Sequence, residues 1–437
     1  MIITLVMDQY GAVNNGTTVT TMRFAEVLKK HGHTVRVVAA APKDQKIDDP
    51  NFYGVESYHI PVFNDFIASQ GMVFAKPDDL VLREAIKGAD VVHLLLPFSI
   101  QRHARLVAKD MGVAVTGAFH MQPENITYSI YLGKSKIANN ALYSFFKNSF
   151  YKYINHVHCP SEMVKHDLIK HGYKNQIHAI SNGVSPRFVH LDNVEKPAEL
   201  KDKFVVLMIG RLSREKRQDL IIKAIGESKY NDKLVLCGKG PWKAHLESLS
   251  KKYLKNPVIF SFLPQDELLK VINYSDLYVH ASDAESEAIS CMEAFTCGLV
   301  PVISNSEQTA TKQFAQDPHC LFERGDPHSL CERIEYFYEH QDIKNELSKK
   351  YIEYAKQYAL EYCVTQLEKV FEKAIEENKE EIAKHGIRPI SKKEARQLKK
   401  IDEKIMKLIN KEEKKKHFGK ITENTIKDIE ENTKIDE

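Results

Sequence analysis

The stretch Leu277-Tyr-Val-His280-Ala-Ser-Asp-Ala-Glu285-Ser-Glu-Ala-Ile-Ser-Cys-Met-Glu293-Ala-Phe-Thr-Cys-Gly298-Leu-Val-Pro-Val-Ile303 decides how this chain is read. Apolar runs at 277–280 and 300–303 flank a helix-period segment at 288–296. Strand, helix and strand at this spacing form a crossover unit with parallel strands. In an open sheet of that kind, the loop after the first strand lies at the carboxyl edge, where ligands bind. Glu285 falls in that loop, and Glu293, eight residues on, falls about two turns into the helix. The amides of Ala288, Ile289 and Ser290 then form a helix N-terminus, which attracts anions. A diphosphate at those amides, with Glu293 on a ribose and Glu285 on a sugar, is a coherent chemistry. The plainer alternative is that acidic groups near a helix start complement its dipole.

The same alternation extends in both directions. Strands are expected at 2–7, 35–39, 91–96, 113–118 and 156–159, with helices at 19–31, 77–87 and 99–111 between them. A second set of strands falls at 204–209, 234–237, 258–260, 277–280 and 300–303, with helices at 217–225, 242–251, 266–273 and 288–296. Ser-Asn-Gly, Ser-Pro and Lys-Pro punctuate residues 182–202 and mark a join. Two consecutive α/β units follow, each a parallel sheet wound by helices. Beyond about residue 342 strand signals stop, and 347–376 reads as helix.

At 437 residues, two or three domains are expected. The formal charge of +3, from 62 Lys+Arg and 59 Asp+Glu, excludes a dedicated nucleic-acid binder by bulk charge. With 43% hydrophobic residues the chain supports a large core. It has no apolar run of the ~20 residues a membrane span needs, and its first residues lack the basic region of a signal peptide. Seven scattered cysteines without a CxxC pair fit a reduced, cytoplasmic chain. The charge is unevenly placed. Residues 391–420 hold twelve Lys/Arg against five Asp/Glu, and 421–437 hold two against six, which leaves 48 of each sign in 1–390. The whole excess belongs to a tail that is basic and then acidic. Leu398, Ile401, Ile405 and Leu408 give that tail one apolar helical stripe. It reads either as a helix docked on its own protein or as a membrane or partner contact.

Three further loops carry candidate chemistry. Gly210-Arg211-Leu-Ser-Arg-Glu-Lys216 follows a strand, and Arg211 with Lys216 can neutralise both phosphates of a nucleotide diphosphate. Arg214 and Arg217 read as plain surface cations paired along a helix. In the loop after the first strand, Gly16 opens a helix and lets a ligand approach the backbone. Neither that loop nor Gly238-Lys-Gly240 is a complete dinucleotide fingerprint, so a dehydrogenase or epimerase is disfavoured. Gly117-Ala-Phe-His120-Met-Gln-Pro-Glu124 ends a strand, where His120 can hydrogen-bond a sugar hydroxyl or stabilise developing charge. His93, also ending a strand, reads as structural.

Taken in order, these motifs resemble the retaining glycosyltransferases of family 4. The ordered set is Gly16, Gly32-His33-Thr-Val35, His120, Pro160-Ser161, Ser181-Asn182-Gly183-Val184, Gly210-Arg211 with Lys216, Glu285 and Glu293 in a Glu-x7-Glu pattern, and Gly298. The resemblance covers about residues 1–370. It implies the GT-B architecture, two Rossmann-like doubly wound parallel-sheet domains facing a cleft, here with a charged helical C-terminal tail. The domains implied are an acceptor domain at 1–185, a nucleotide-sugar domain at 186–345, helices crossing back at 346–374, and an extension at 375–437. A helix near 347–362 is the candidate for the crossing.

By the same resemblance, Arg211 and Lys216 hold the donor diphosphate, Glu293 the ribose and Glu285 the donor sugar. Leu263, Ala288, Ile289 and Ser290 complete the nucleotide side, and the Gly16 amide and His120 close over the diphosphate and sugar. His120, Glu285, Arg211 and Lys216 are the catalytic set. Transfer in this family retains anomeric configuration and requires no metal, so no cofactor is expected beyond the nucleotide-sugar donor. Two departures concern the donor site. Arg217 stands where glycine is common, and Ser286-Glu287-Ala288 stands for Gly-Phe-Gly, which stiffens the turn and puts the Glu287 charge near the sugar site. The aromatic- and lysine-rich segment 128–153 is either a packed amphipathic helix or a surface for lipid headgroups. With His120-Met-Gln-Pro-Glu-Asn and Asn15-Gly16-Thr-Thr it makes the chain look most like members that glucosylate diacylglycerol. The expected function is hexose transfer from a UDP-sugar to a lipid or lipid-linked acceptor at the cytosolic membrane face. The alternatives are a soluble sugar, polysaccharide or protein acceptor, and a non-catalytic nucleotide-sugar-binding subunit.

Overall fold

The computed structural model describes residues 1–11, 16–41, 47–58, 73–129, 135–230 and 232–414. Residues 12–15 of the first loop, 130–134 of the aromatic segment and the acidic stretch 421–437 lie outside the described residues. The chain divides into two compact units, residues 1–180 with 364–437, and residues 181–363.

Among the described residues the first unit is built on seven parallel strands: β1 (Ile2–Gln9), β2 (Thr34–Ala40), β3 (Phe52–Val55), β4 (Val91–Leu94), β5 (Ala114–Ala118), β6 (His156–Cys159) and β7 (Gln176–Ala179). Their spatial order is β3-β2-β1-β4-β5-β6-β7. The second unit has six: β8 (Phe204–Ile209), β9 (Asp232–Cys237), β10 (Ile259–Ser261), β11 (Leu277–His280), β12 (Pro301–Ser304) and β13 (Leu321–Phe322), in the order β10-β9-β8-β11-β12-β13. Both are doubly wound Rossmann-type sheets, and in each the strand order reverses once, between β1 and β4 and between β8 and β11. The α/β class and the two-unit plan read from the sequence therefore hold.

Three strands were not expected: β3, β7 and β13. All three lie at sheet edges. The central strands are buried on both faces and read as continuous apolar runs. An edge strand is half-covered, and Gln176-Ile-His-Ala179 has no such run. The helix Pro327–Glu339 was also unexpected, although Asp326 caps its N-terminus and Pro327 opens it.

The single helix expected at 347–376 is two, Gln341–Tyr354 and Leu360–His385. Between them the backbone pairs with the stretch after the first unit: Val184 N–H donates to Tyr358 O at 2.7 Å and Leu360 N–H to Val184 O at 3.1 Å. A side chain on Gly183 would lie 2.6 Å from Leu360 Cα, and its φ of +72° also demands glycine. The helix containing Leu347 belongs to the second unit, where Tyr351 packs on Phe295. The return to the first unit is made by Leu360–His385 and falls at 363/364, not at 345/346. That helix is held to the first sheet by Phe371 against His93, by Glu368 at 2.8 and 2.9 Å from His31 and His33, and by Glu377 at 2.9 Å from His156.

The charged tail begins as a helix, Lys392–Lys414, opened by a reciprocal cap between Ser391 and Glu394. Ile401 of its stripe is buried, and Asp402 lies 3.0 Å from His103 of the helix Ser99–Asp110. Residues 392–403 are thus docked on their own protein. The side chains of Ile405 and Leu408 lie outside the described residues. In the aromatic segment, the helix Lys136–Ser149 buries Tyr143 and Phe146, with Phe150 and Tyr151 following into the core. The packed reading holds for these four.

Candidate active site

In the second unit the strand order reverses between β8 and β11, and the loops leaving these two strands carry the candidate cations and carboxylates. Beyond β8 the chain runs alongside the loop after β9, with Gly210 N–H donating to Cys237 O at 2.9 Å and Leu212 N–H to Lys239 O at 3.0 Å. A Cβ on Gly238 would lie 1.9 Å from Gly210 O, and one on Gly240 2.1 Å from Leu212 O. Gly238 and Gly240 are therefore half a fingerprint for a steric reason: they admit the loop that carries Arg211. The Arg211 carbonyl accepts from Gln218 Nε2 at 2.8 Å, which fixes its backbone.

Arg217 has φ +55°, the left-handed conformation that glycine adopts freely. Its guanidinium bonds Asp219 at 3.1 Å and Asp283 at 3.3 Å, and Arg324 reaches the other Asp283 oxygen at 3.0 Å. Arg217 is thus a paired structural cation, as expected, but its partners are Asp219 and Asp283 instead of a helix neighbour at i+4. Arg214 is exposed. Asp283 N–H donates to Glu215 O at 2.8 Å, which stitches the loop after β11 to the loop after β8.

Glu285 is pinned by its backbone, with its N–H on Gln308 O at 3.1 Å and its carbonyl accepting from Ala310 N–H at 2.8 Å. Its carboxylate meets the Lys216 ammonium through Oε2, and the His280 Nε2 lies 3.6 Å from the same oxygen. Burial alone would raise this carboxyl, but the Lys216 charge and His280 outweigh it and hold it at about 2. A fully ionised carboxylate and its counter-cation thus stand together at the carboxyl edge of the sheet.

Ala288 takes φ +66°, so alanine is held in the conformation a glycine would adopt. The helix Ile289–Thr296 follows, and Ala288 at its start gives it no side-chain cap, so its first amides can meet an anion. Glu293 is the fifth residue of this helix, one turn in and not two, and is buried. Ser290 Oγ is 3.1 Å from Tyr278 OH. Leu263 leaves β10 half-buried against the core.

Glu287 corrects an expectation. Its carboxyl accepts from Ser181 Oγ at 2.5 Å, Asn182 N–H at 2.8 Å and Asn182 Nδ2 at 2.5 Å. Burial pushes it up to about 7 against these donors, with Glu285 adding to the rise. It is a buried strut for the 181–182 stretch, and its charge is not offered to a sugar.

Gly16 and His120 belong to the first unit. Gly16 is the first residue of the helix Gly16–Lys30. His120 follows β5, and burial, then His158 and His93, hold its imidazole neutral, well below the usual histidine range. His93 is structural, with Nδ1 2.8 Å from Thr116 Oγ1. Two features escaped the sequence reading. Asp8, at the end of β1, accepts from Gln101 Nε2 at 2.7 Å and is pushed by burial up to about 7. Tyr278 and His280 lie two residues apart in a central strand, where one face is otherwise apolar, and that alternation was their only signal. Among the described residues no three His, Cys, Asp or Glu side chains group as metal ligands do.

Two Rossmann-type units in series, one with paired cations, a carboxylate and an uncapped helix at its strand-order reversal, define the ground plan of the GT-B glycosyltransferases. Solved structures share it: sucrose-phosphate synthase from Thermosynechococcus elongatus (16% identity, TM-score 0.67, 86% of this chain and 99% of that one) and HepE from Anabaena in complex with UDP-glucose (14%, 0.65, 85% and 100%). Residues 14–188 match the family model described as Glycosyltransferase Family 4, and residues 191–358 the model for glycosyl transferases group 1. The chain belongs to the family 4 glycosyltransferases. Among curated relatives, the alpha-monoglucosyldiacylglycerol synthase of Acholeplasma laidlawii is 23% identical over 88% of this chain and 100% of its own length. The Streptococcus pneumoniae enzyme of the same name is 24% identical over 70% and 71%.

Proposed function

We propose that this glycosyltransferase moves a hexose from a UDP-linked donor to a lipid or lipid-linked acceptor at the cytosolic face of a membrane, with retention of anomeric configuration. The observation that carries the donor half is the Lys216–Glu285 pair beside the uncapped helix Ile289–Thr296. Lys216 and Arg211 neutralise the diphosphate, which makes it a better leaving group as the glycosidic bond opens. The Ala288, Ile289 and Ser290 amides add oriented dipoles. Glu285, ionised at any working pH, accepts hydrogen bonds from sugar hydroxyls, Glu293 does so from the ribose, and Leu263 borders the base. Gly16 and the neutral His120 are the first unit's own candidates for binding substrate hydroxyls. No resident metal takes part in this scheme.

The acceptor half is supported by the names of the relatives. Two are diacylglycerol glucosyltransferases, and a Campylobacter jejuni relative, 24% identical over 51% of this chain, acts on a diphospho-undecaprenol. No helix among the described residues is long and apolar enough to cross a membrane. The test is a donor screen by nucleotide release with crude lipid extract as acceptor, followed by mass spectrometry and NMR of the product. Release of UDP with an α-hexosyl lipid supports the reading. Release only with soluble glycans, or a β-linked product, contradicts it.

A further inference from the structure

Below the Lys216–Glu285 pair lies a polar chain that the scheme above does not use. His280, the last residue of β11, is only 1% exposed. Its Nδ1 is 3.3 Å from Tyr278 OH, and that hydroxyl is 3.1 Å from Ser290 Oγ. Its Nε2 has no hydrogen-bond partner among the described residues, yet it lies 3.6 Å from Glu285 Oε2, just beyond bonding distance. Leaving a buried imidazole nitrogen without a partner is costly, so its aim at one carboxylate oxygen calls for a reason.

The tautomer follows from the neighbours. Burial disfavours the imidazolium and, with the Lys216 ammonium, outweighs the Glu285 carboxylate that favours it, so the ring is held below the usual histidine range in the free protein. The Glu285 carboxylate facing Nε2 favours the tautomer with the proton on Nε2, and Nδ1 then accepts from Tyr278 OH at 3.3 Å, with the Ile209 carbonyl a second, longer acceptor for that hydroxyl at 3.5 Å. In the free protein Glu285 Oε2 is claimed by Lys216. A diphosphate carries more negative charge than one carboxylate and competes with Glu285 for the Lys216 ammonium, a competition that would loosen the Lys216–Glu285 contact.

We propose that His280 is a positioning residue that takes over Glu285 when Lys216 turns to the donor diphosphate: its Nε2–H closes the remaining gap and keeps the carboxylate ionised and aimed at the sugar. The idea rests on the donor reading of this site. The charged and titratable groups around the pair are Lys216 from the loop after β8, Tyr278 from β11, Glu287 two residues on, and Cys291 and Glu293 from the helix. Glu287, Cys291 and Glu293 add only negative or neutral character, and among the described residues the lysine in contact with Glu285 is Lys216. Without His280, Glu285 in the nucleotide complex would be a buried carboxylate short of a donor, and its affinity for a proton would rise.

The test uses UDP and the full chain. Proton uptake on UDP binding is measured by calorimetry at pH 6 in buffers of different ionisation enthalpy, for the wild type, His280→Phe and His280→Gln. Phe keeps the ring volume without a donor, and Gln places an amide N–H near the Nε2 position. His280→Phe should take up roughly half a proton more per UDP than the wild type, and His280→Gln should match the wild type. Equal uptake in all three overturns the handover while leaving the donor site standing. Failure of the wild type to bind UDP overturns the donor reading and the handover together. If His280→Phe does not fold, ¹⁵N-histidine spectra of the wild type decide: a downfield shift of the His280 Nε2 proton on UDP saturation supports closure, and an unmoved resonance refutes it.

Discussion

The two strand-order reversals of this chain share a topology and differ in charge. Between β8 and β11 stand a fully ionised Glu285 and its Lys216 partner, with Arg211 in the same loop. Around β1, β4, β5 and β6 stand an Asp8 carboxyl pushed up to about 7 and imidazoles held neutral at His93, His120 and His158. The same fold thus presents one charged edge and one edge that burial keeps close to neutral. A fold does not dictate chemistry, which is set by the side chains at its ligand edge. A charged edge suits a diphosphate that must be neutralised as it leaves, and a neutral polar edge suits hydroxyls that must be oriented without being ionised.

The contrast breaks first at the charged edge. Lys216→Ala and Glu285→Gln should each lower turnover by about 10²–10³-fold with the fold intact by circular dichroism. Full activity in either would remove the site. At the neutral edge His120→Asn should cost about 10²-fold, and the loss should not be recovered at low pH. Recovery on acidification would mean that His120 works as an imidazolium.

A third prediction concerns pH. Glu287 titrates near 4.5 when unfolded and near 7 when native. Between those values the native state binds more protons, so the stability of the second unit should fall as pH rises from 4.5 to 7 and level off above it, by roughly 3 kcal/mol in all. Glu287→Gln should flatten that slope in denaturant titrations, and an unchanged slope would assign it elsewhere. The smallest effect is conformational. Ala288→Gly should stabilise the second unit by up to about 1 kcal/mol by relieving the left-handed alanine. Destabilisation would show that the Ala288 methyl group packs more than it strains.

The sheets were legible where burial is complete. Runs such as Phe204-Val-Val-Leu-Met-Ile209 are covered on both faces and carry no polar residue to obscure them. The edge strands β3, β7 and β13 were not, because half-covered strands tolerate Gly54, Gln176 and His178. Lys216 and Glu285 were legible singly, each in a loop leaving an apolar strand. Their contact was not, since it joins positions 69 residues apart through sheet topology alone. Glu287 misled because sequence proximity to Glu285 says nothing of which side of an extended turn a carboxyl takes. Asp8 and His280 look like ordinary strand ends until the partners that burial brings to them, Gln101 and Tyr278, are seen.

The central claim is that the reversal between β8 and β11 holds a nucleotide diphosphate on Lys216. It is tested most directly by UDP affinity measured calorimetrically for the wild type and Lys216→Ala at one ionic strength. The account predicts that the wild type binds and that the variant binds at least about tenfold more weakly, the equivalent of 1.4 kcal/mol or more. Equal affinities would contradict it.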